Sequence, residues 1–392
     1  MEFQKGLKSR GFDVTVLTAL PNYPTGRIFD EYRGKVEDWD ENEKILRTHI
    51  FPFKRKSAAL RLITYLSFLN SSQTIEKKRF PEGSFDIVIA SSPPLFVGQA
   101  GSNIAKRHGA KFIFDVRDVW PDVAVNMGLL PRRGTVARWL GAINRRILKN
   151  ADLVLVTNCS DMETIASKGY PREKIIKIPN GANLEIFKPL PVNESAQLKK
   201  QKSLDGKFVI CYSGSLNRGM NDVNAFVPLM SKLKDDKDIS LLLIGDGENL
   251  GEIRDSTARQ NLTNIIFLNT QTIEELGITL NTVDLGLIPR KALSTGKSGG
   301  LPVKMFECWA LGKPVLMAAG RNTEERTLLE DVRGGIAVDP GDIDAMASAI
   351  SQLKNNPKLT SELGQNGRRA VVEKYSREPA LERLVDALKK LV

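Results

Sequence analysis

Histidine and cysteine are scarce in this 392-residue chain, and long apolar runs are missing. Only His49 and His108 occur, so a histidine-rich metal site is excluded. Cys159, Cys211 and Cys308 are odd in number, scattered and without metal-ligand spacing. They fit small core residues in a reducing cytoplasm rather than a disulfide framework. No apolar run approaches the ~20 residues of a bilayer span, and no charged-then-apolar segment opens the chain. Neither a spanning helix nor a secretion signal is therefore expected. Zinc-finger spacing, an RNP-like aromatic strand and a helix-turn-helix signature are missing as well, which makes nucleic acid a poor partner.

The composition that remains is ordinary for a soluble protein, 41% apolar and 26% charged, and the length suits two domains that each bury a core. The net charge of +11 is the unusual quantity. It favours an anionic membrane surface or a phosphorylated substrate as partner.

Short β-branched runs alternate with helical patterns along the first half. "FDVTVLTAL" (12–20), "FDIVIASSPP" (85–94), "AKFIFDVRDVWPD" (110–122) and "ADLVLVTNCS" (151–160) read as strands that end in polar turns. The segments between them have apolar residues at helical spacing, so a parallel sheet with crossover helices is expected. "FKPLPVNESAQLKKQKSLDG" (187–206) breaks the pattern as a polar linker. The alternation restarts with "KFVICYSGS", "ISLLLIGDGE", "TNIIFLNT", "VDLGLIPR", "KPVLMAAG" and "GGIAVDP". Two doubly wound α/β domains with a cleft between them follow. One irregularity stands at the start: "MEFQKGLKSRG" reads as the tail of a helix, so the strand and glycine turn that open such a domain are expected to be missing.

Open α/β sheets bind ligands at the C-terminal ends of their strands. Three strand ends in the second half lead into glycine turns: "YSGSLNRGMND" with Gly214, Ser215, Arg218 and Gly219, "LIGDGE" with Gly245, and "KSGGLPVKMFE" with Lys297, Gly299 and Gly300. Glycine lets backbone approach a ligand, and a helix N-terminus directs free N–H groups at an anion. Pro302 is well placed as the first residue of such a helix, and Gly312 and Pro314 as its end. With Arg218 and Lys297 nearby, the three turns predict a diphosphate site.

The order of "IPNGANLEIFKP" (178–189), "LIGDGE", "GLPVKMFECWALGKPV", "GGIAVDPGD" and "LGQNGRRAVVEKYS" resembles the retaining family 4 glycosyltransferases over nearly the whole chain. "NYPTG" (22–26) and "RDVWPDVAV" (117–125) are similar to the subset that extends lipid-linked sugars in bacterial O-antigen or capsule assembly. The resemblance implies a GT-B fold, two Rossmann-like domains facing a central cleft. It divides the chain into an acceptor-side domain at 1–188, a nucleotide-sugar domain at 189–375 and a C-terminal helix at 376–392 that returns to the first. It implies no metal and no cofactor, the nucleotide-sugar being a substrate.

Residue by residue, Glu307 matches the second glutamate of the family's Glu-x7-Glu motif, which holds the donor ribose. The first glutamate falls on Gly299, so Lys297 or Ser298 is expected to make the sugar contact. Ser215 and Arg218 take the two basic places of the phosphate loop. Gly214, Gly245, Gly300 and Leu301 line the donor, and backbone N–H groups at Gly299–Leu301 face its diphosphate. Arg117 and Asp118 stand where the family has a His-Asp pair, Asp118 toward the acceptor hydroxyl and Arg117 toward a phosphate. Structural readings stay open beside these. Glu307 can pair with Lys304 one turn back, Asp118 and Asp122 can cap a turn and a helix, and Trp120, Trp309 and Cys308 read as core.

The segment 51–80 carries Leu60, Ile63, Tyr65, Leu66, Phe68 and Leu69 between Lys54, Arg55, Lys56, Arg61 and Lys77, Lys78, Arg79. It reads as a basic amphipathic helix on an anionic membrane through residues 54–79, or as an ordinary packing helix. The combined expectation is transfer of a sugar, from a UDP-sugar and with retention, to a lipid-diphosphate-linked saccharide at the inner face of the cytoplasmic membrane. The alternatives are another GT-B enzyme, epimerase or inverting transferase, and an inactive relative that only binds nucleotide or membrane. A nicotinamide dehydrogenase is a third option, which would need a Gly-x-Gly-x-x-Gly fingerprint that is not found intact.

Overall fold

The computed structural model describes residues 2–22, 25–53, 57–126, 130–131, 133–217, 219–292 and 300–391. Backbone contacts divide the chain into two units, Met1–Ile178 with Leu381–Val392, and Pro179–Ala380.

The first unit runs α1 (Glu2–Lys8), β1 (Val16–Ala19), β2 (Glu37–Asp40), β3 (Ile45–Thr48), α2 (Ala58–Arg79), β4 (Ile87–Ser92) and α3 (Leu95–His108). It continues through β5 (Lys111–Val116), α4 (Asp122–Asn126), α5 (Thr135–Asn150), β6 (Leu153–Val156), α6 (Cys159–Ala166) and β7 (Ile175–Lys177). Strands β5 and β6 are buried almost throughout, as strands covered by helices on both faces must be. The β4-β5-β6-β7 sheet is wholly parallel. A separate sheet of order β1-β3-β2 joins a parallel pair to an antiparallel one. Among the described residues no strand precedes α1, and β1 and β4 each pair on one side only, so the unit holds two sheets rather than one.

The β2–β3 hairpin escaped the sequence reading. "EDWD" carries three acids around a single Trp39, a pattern that reads as loop, and its strand state depends on pairing with the apolar β3. Helix α2 does pack: Leu62, Tyr65 and Leu69 join the core of this unit, while Ile63 and Leu66 stay exposed.

The second unit runs α7 (Val192–Gln201), β8 (Phe208–Ser213), α8 (Phe226–Lys232), β9 (Ile239–Ile244), α9 (Leu250–Arg259), β10 (Ile265–Leu268) and α10 (Ile273–Leu280). It continues through β11 (Leu285–Pro289), α11 (Val303–Ala310), β12 (Val315–Ala318), α12 (Glu324–Val332), β13 (Gly335–Val338), α13 (Ile343–Asn355) and α14 (Pro357–Lys374); α15 (Arg377–Lys389) starts in this unit, and from Leu381 on it belongs to the first. The polar segment at 187–206 is not all linker. Val192–Gln201 forms α7, which buries no residue and is tied down where Lys199 Nζ meets the Asp284 carboxylate at 2.7 and 2.9 Å.

Side-chain caps set several helix starts. Thr272 and Glu275 form a reciprocal capping box at α10, and Asp342 and Asn356 accept backbone N–H groups at α13 and α14. The six strands of this unit are all parallel in the order β10-β9-β8-β11-β12-β13. In strand sequence this is the doubly wound 3-2-1-4-5-6 arrangement, whose order reverses between β8 and β11.

Trp309 anchors the lower part of this unit. It is fully buried, its Nε1 donates to Gly334 O at 2.8 Å, and its indole fills the space that side chains at Gly334 and Gly367 would need. Trp309→Ala is expected to cost roughly 3–5 kcal/mol, the range for truncating a buried aromatic. Urea unfolding followed by circular dichroism checks this; an unchanged midpoint would remove Trp309 from the core's support.

Candidate functional site

The reversal between β8 and β11 leaves a crevice at their C-terminal ends, and the turns that leave β8, β9 and β11 meet there. Gly214 follows β8 with φ 138° and Gly245 follows β9 with φ 140°, both in a region that side-chain-bearing residues avoid. The two turns nest: a Cβ on Gly245 would sit 2.1 Å from Gly214 O. Gly245 is thus glycine because a neighbouring carbonyl occupies its side-chain space, which the reading of direct ligand approach did not anticipate. Gly214 and Ser215 are exposed at the end of a buried strand. The Tyr212 hydroxyl donates to Ser215 O at 2.7 Å and holds the turn open in that form.

Among the described residues, two cations stand at these turns. Arg290 follows β11, is only 7% exposed, and its Nη2 donates to Gly300 O at 2.7 Å. Its Nε finds no hydrogen-bond partner. Burial lowers the pKa of this guanidinium, with the nearby Glu325 opposing the shift. The Arg290–Gly300 bond fixes the entry to α11, whose first turn follows buried Leu301 and Pro302 and has no side-chain cap.

One residue into that helix, Lys304 lays its Nζ 3.8 Å from the centre of the Tyr212 ring, a cation–π contact. Lys304 Nζ also occupies the space beside Gly214, 2.9 Å from where a Cβ would lie. Burial, and then the Arg290 charge, pull the Lys304 amine down to about 8, with Glu307 opposing. Glu307 stands one turn further on. Burial pushes its carboxyl up to about 7 although Lys304 opposes the shift. No ion pair or hydrogen bond joins Glu307 to Lys304 or to any other described residue. The simple i,i+3 pairing of the two is therefore not what holds them.

Gly214, Ser215, Gly245, Gly300, Leu301 and Glu307 thus belong to one assembly around β8, β9 and α11. Arg218, Lys297 and Gly299 lie outside the described residues. Sequence reading missed Arg290 and Lys304 as site residues. The signal for Lys304 was its place three residues before Glu307 on the same helix, which had suggested only a surface pair.

In the first unit Arg117 and Asp118 follow β5. Arg117 Nε donates to the buried Asp115 at 2.9 Å, and Ser91 Oγ donates to the same Oδ2 at 2.5 Å. Asp115, unremarked in the sequence, therefore positions Arg117. The half-buried Asp118 makes no side-chain bond to a described residue, and burial raises its pKa. Asp122 begins α4 and pairs with Lys168 instead of joining this group.

Comparison with known proteins places this geometry. Residues 1–181 match the family described as Glycosyl transferase 4-like domain, and residues 193–370 match Glycosyl transferases group 1. The chain is 26% identical to the putative colanic acid biosynthesis glycosyl transferase WcaI of Escherichia coli over 91% of this chain and 88% of that protein. The sucrose-phosphate synthase of Thermosynechococcus elongatus superposes with a TM-score of 0.76 at 17% identity, over 100% of this chain and 92% of that one. Anabaena Alr3699/HepE, solved in complex with UDP-glucose, gives 0.67 at 14% identity over 89% and 87%. With both halves matched in tandem, the chain is a glycosyltransferase of the GT-B fold and of the hexosyltransferase type.

Proposed function

We propose that the protein transfers a sugar from a UDP-sugar to a lipid-linked saccharide in bacterial surface polysaccharide assembly, with retention at the anomeric carbon. The observation that carries the donor half is the pair of cations, the buried Arg290 and the half-buried Lys304, beside the open Gly214–Ser215 turn. Neither has an acid bonded to it within the crevice, so a diphosphate is the natural counter-charge. Support for UDP comes from structural neighbours crystallised with UDP and UDP-glucose, and for polysaccharide assembly from the relative named for colanic acid biosynthesis.

In the proposed reaction the C1–O bond to the diphosphate breaks while the acceptor oxygen bonds C1 on the same face, and the acceptor proton passes to the departing diphosphate oxygen. Negative charge grows on that diphosphate, so donors already fixed in place lower the barrier most. Lys304 and the first N–H groups of α11 serve there, while Arg290 holds Gly300 and with it the start of α11. Arg218 and Lys297 are further candidates. Glu307 is assigned to the ribose hydroxyls, and Asp118 and Arg117 to the acceptor side. The transfer so written calls for no metal or cofactor. Residues 54–79 are assigned to the membrane surface on the cytoplasmic side.

An inverting transfer is the second reading, because the partner-free Asp118 could serve as the base such a reaction needs. The anomeric coupling constant of the first-formed product, read by proton NMR, decides between the two.

Thermal stabilisation by UDP and a panel of UDP-sugars tests the donor assignment, and no shift with any of them overturns it. A bound diphosphate would restore full protonation to the Lys304 amine. Calorimetry at about pH 8.5 in buffers of different ionisation enthalpy should therefore show proton uptake on UDP binding, with affinity falling as pH rises past about 8. Lys304→Met should abolish the uptake and weaken UDP roughly tenfold or more, the loss of one charged hydrogen bond.

Glu307 provides a test of opposite sign. Its folded pKa is raised from 4.5 to about 7, so the stability it contributes is present below pH 4.5 and lost as pH climbs through 7. At pH 8 the ligand-free Glu307→Gln variant should melt above the wild type yet bind UDP more weakly. A variant that is less stable at that pH, or binds equally well, would contradict the assignment.

A further inference from the structure

Helix α5 was read from sequence only as a crossover helix, yet its outer face is unusual. Arg138, Trp139, Ala142, Arg145, Arg146 and Lys149 are all exposed, and residues 123–150 contain no acid. Trp139 is 47% exposed and Val136 51%, one turn apart. The Trp139 ring leans on Phe96 at a centroid distance of 5.9 Å, so it is propped outward rather than folded into the core. None of the four basic side chains has a carboxylate partner among the described residues.

The neighbouring helices extend this field. α2 packs on α3, and α3 on α5, and the three carry four, two and four Lys or Arg residues respectively. Their single acid is Glu76, which is 2% exposed and accepts from Arg107 Nη1 and His108 Nε2 at 2.6 Å each. His108 Nδ1 accepts from the Ser84 backbone N–H at 3.1 Å, which leaves Nε2 as the protonated nitrogen that donates to Glu76. Arg79 is taken up by Glu37, but Lys77, Lys78 and the α5 cations are not. On α2, Ile63 and Leu66 add exposed apolar surface.

We infer that the outer face of α5, together with α2, is a docking surface for an anionic phospholipid bilayer, with Trp139 and Val136 entering the headgroup boundary. Charge complementarity identifies the occupant: an aromatic anchor inside a single-sign basic face is what an anionic interface attracts and a neutral protein surface does not. The inference deepens the proposed function, on which it rests for the lipid-linked acceptor, and moves the anchoring point from residues 54–79 alone to α5.

Vesicle sedimentation with the full chain tests it. Binding is expected to phosphatidylcholine vesicles containing phosphatidylglycerol and not to phosphatidylcholine alone. Brominated lipid should quench part of the tryptophan emission, and Trp139→Phe should abolish that quenching while leaving the other three tryptophans unaffected. Arg138→Glu, Arg145→Glu and Arg146→Glu should each weaken partitioning by up to about 25-fold, a two-unit charge change at roughly fivefold per interfacial charge. UDP stabilisation measured on the same variants shows that they fold and tests the donor reading separately. Absence of binding to the anionic vesicles, equal binding to neutral ones, quenching that survives Trp139→Phe, or insensitivity to the α5 reversals would each overturn the inference, whatever UDP does.

Discussion

The hydrogen bond from Arg290 to Gly300 O organises the second unit. It joins the end of a central strand to the residue from which α11 departs. Once that departure is fixed, Lys304 must lie against the Tyr212 ring and Glu307 must fall one turn behind it. The bond itself is secured by burial, because a guanidinium sequestered from water holds its acceptor far more tightly than an exposed one. Loosening it would move several groups together: the helix start, the amine and the carboxylate.

Such an arrangement carries a cost in folding. Burial lowers the basicity of Lys304 and raises the pKa of Glu307, so the charged form of each is disfavoured where it stands. The surrounding core offsets the cost. Trp309 clamps α11 from beneath, between Gly334 and Gly367, and the buried strands β8, β9 and β11 hold the crevice from the side. In the first unit a lesser version recurs, with Asp115 holding Arg117 while Asp118 makes no side-chain bond to a described residue.

Much of this could be read before folding. The β-branched runs announced β4 and also β5, β6, β8, β9 and β11, the last five because buried parallel strands leave continuous apolar stretches. Glycines after strands marked the turns, and Gly312 and Pro314 marked the end of α11. What escaped reading depends on tertiary burial. Lys304 and Arg290 look like any surface cation until the strand order places them behind Tyr212 and Gly300. Gly245 was read as a donor contact, and the nested turn adds a packing reason for glycine there that the sequence did not show. The hairpin of β2 and β3 was hidden by acids, and the exposed face of α5 by a helical pattern that fits a crossover equally well.

The nesting of Gly245 against the Gly214 carbonyl also bears on how this enzyme can change over time. Two backbone turns that share one packing space cannot accept new side chains singly, so this shelf is closed to gradual variation. Change around these turns therefore has to come from residues that reach over the shelf, while the backbone platform beneath stays as it is. A fixed floor with interchangeable walls is a simple physical route by which one scaffold could diversify its chemistry without relearning how to fold.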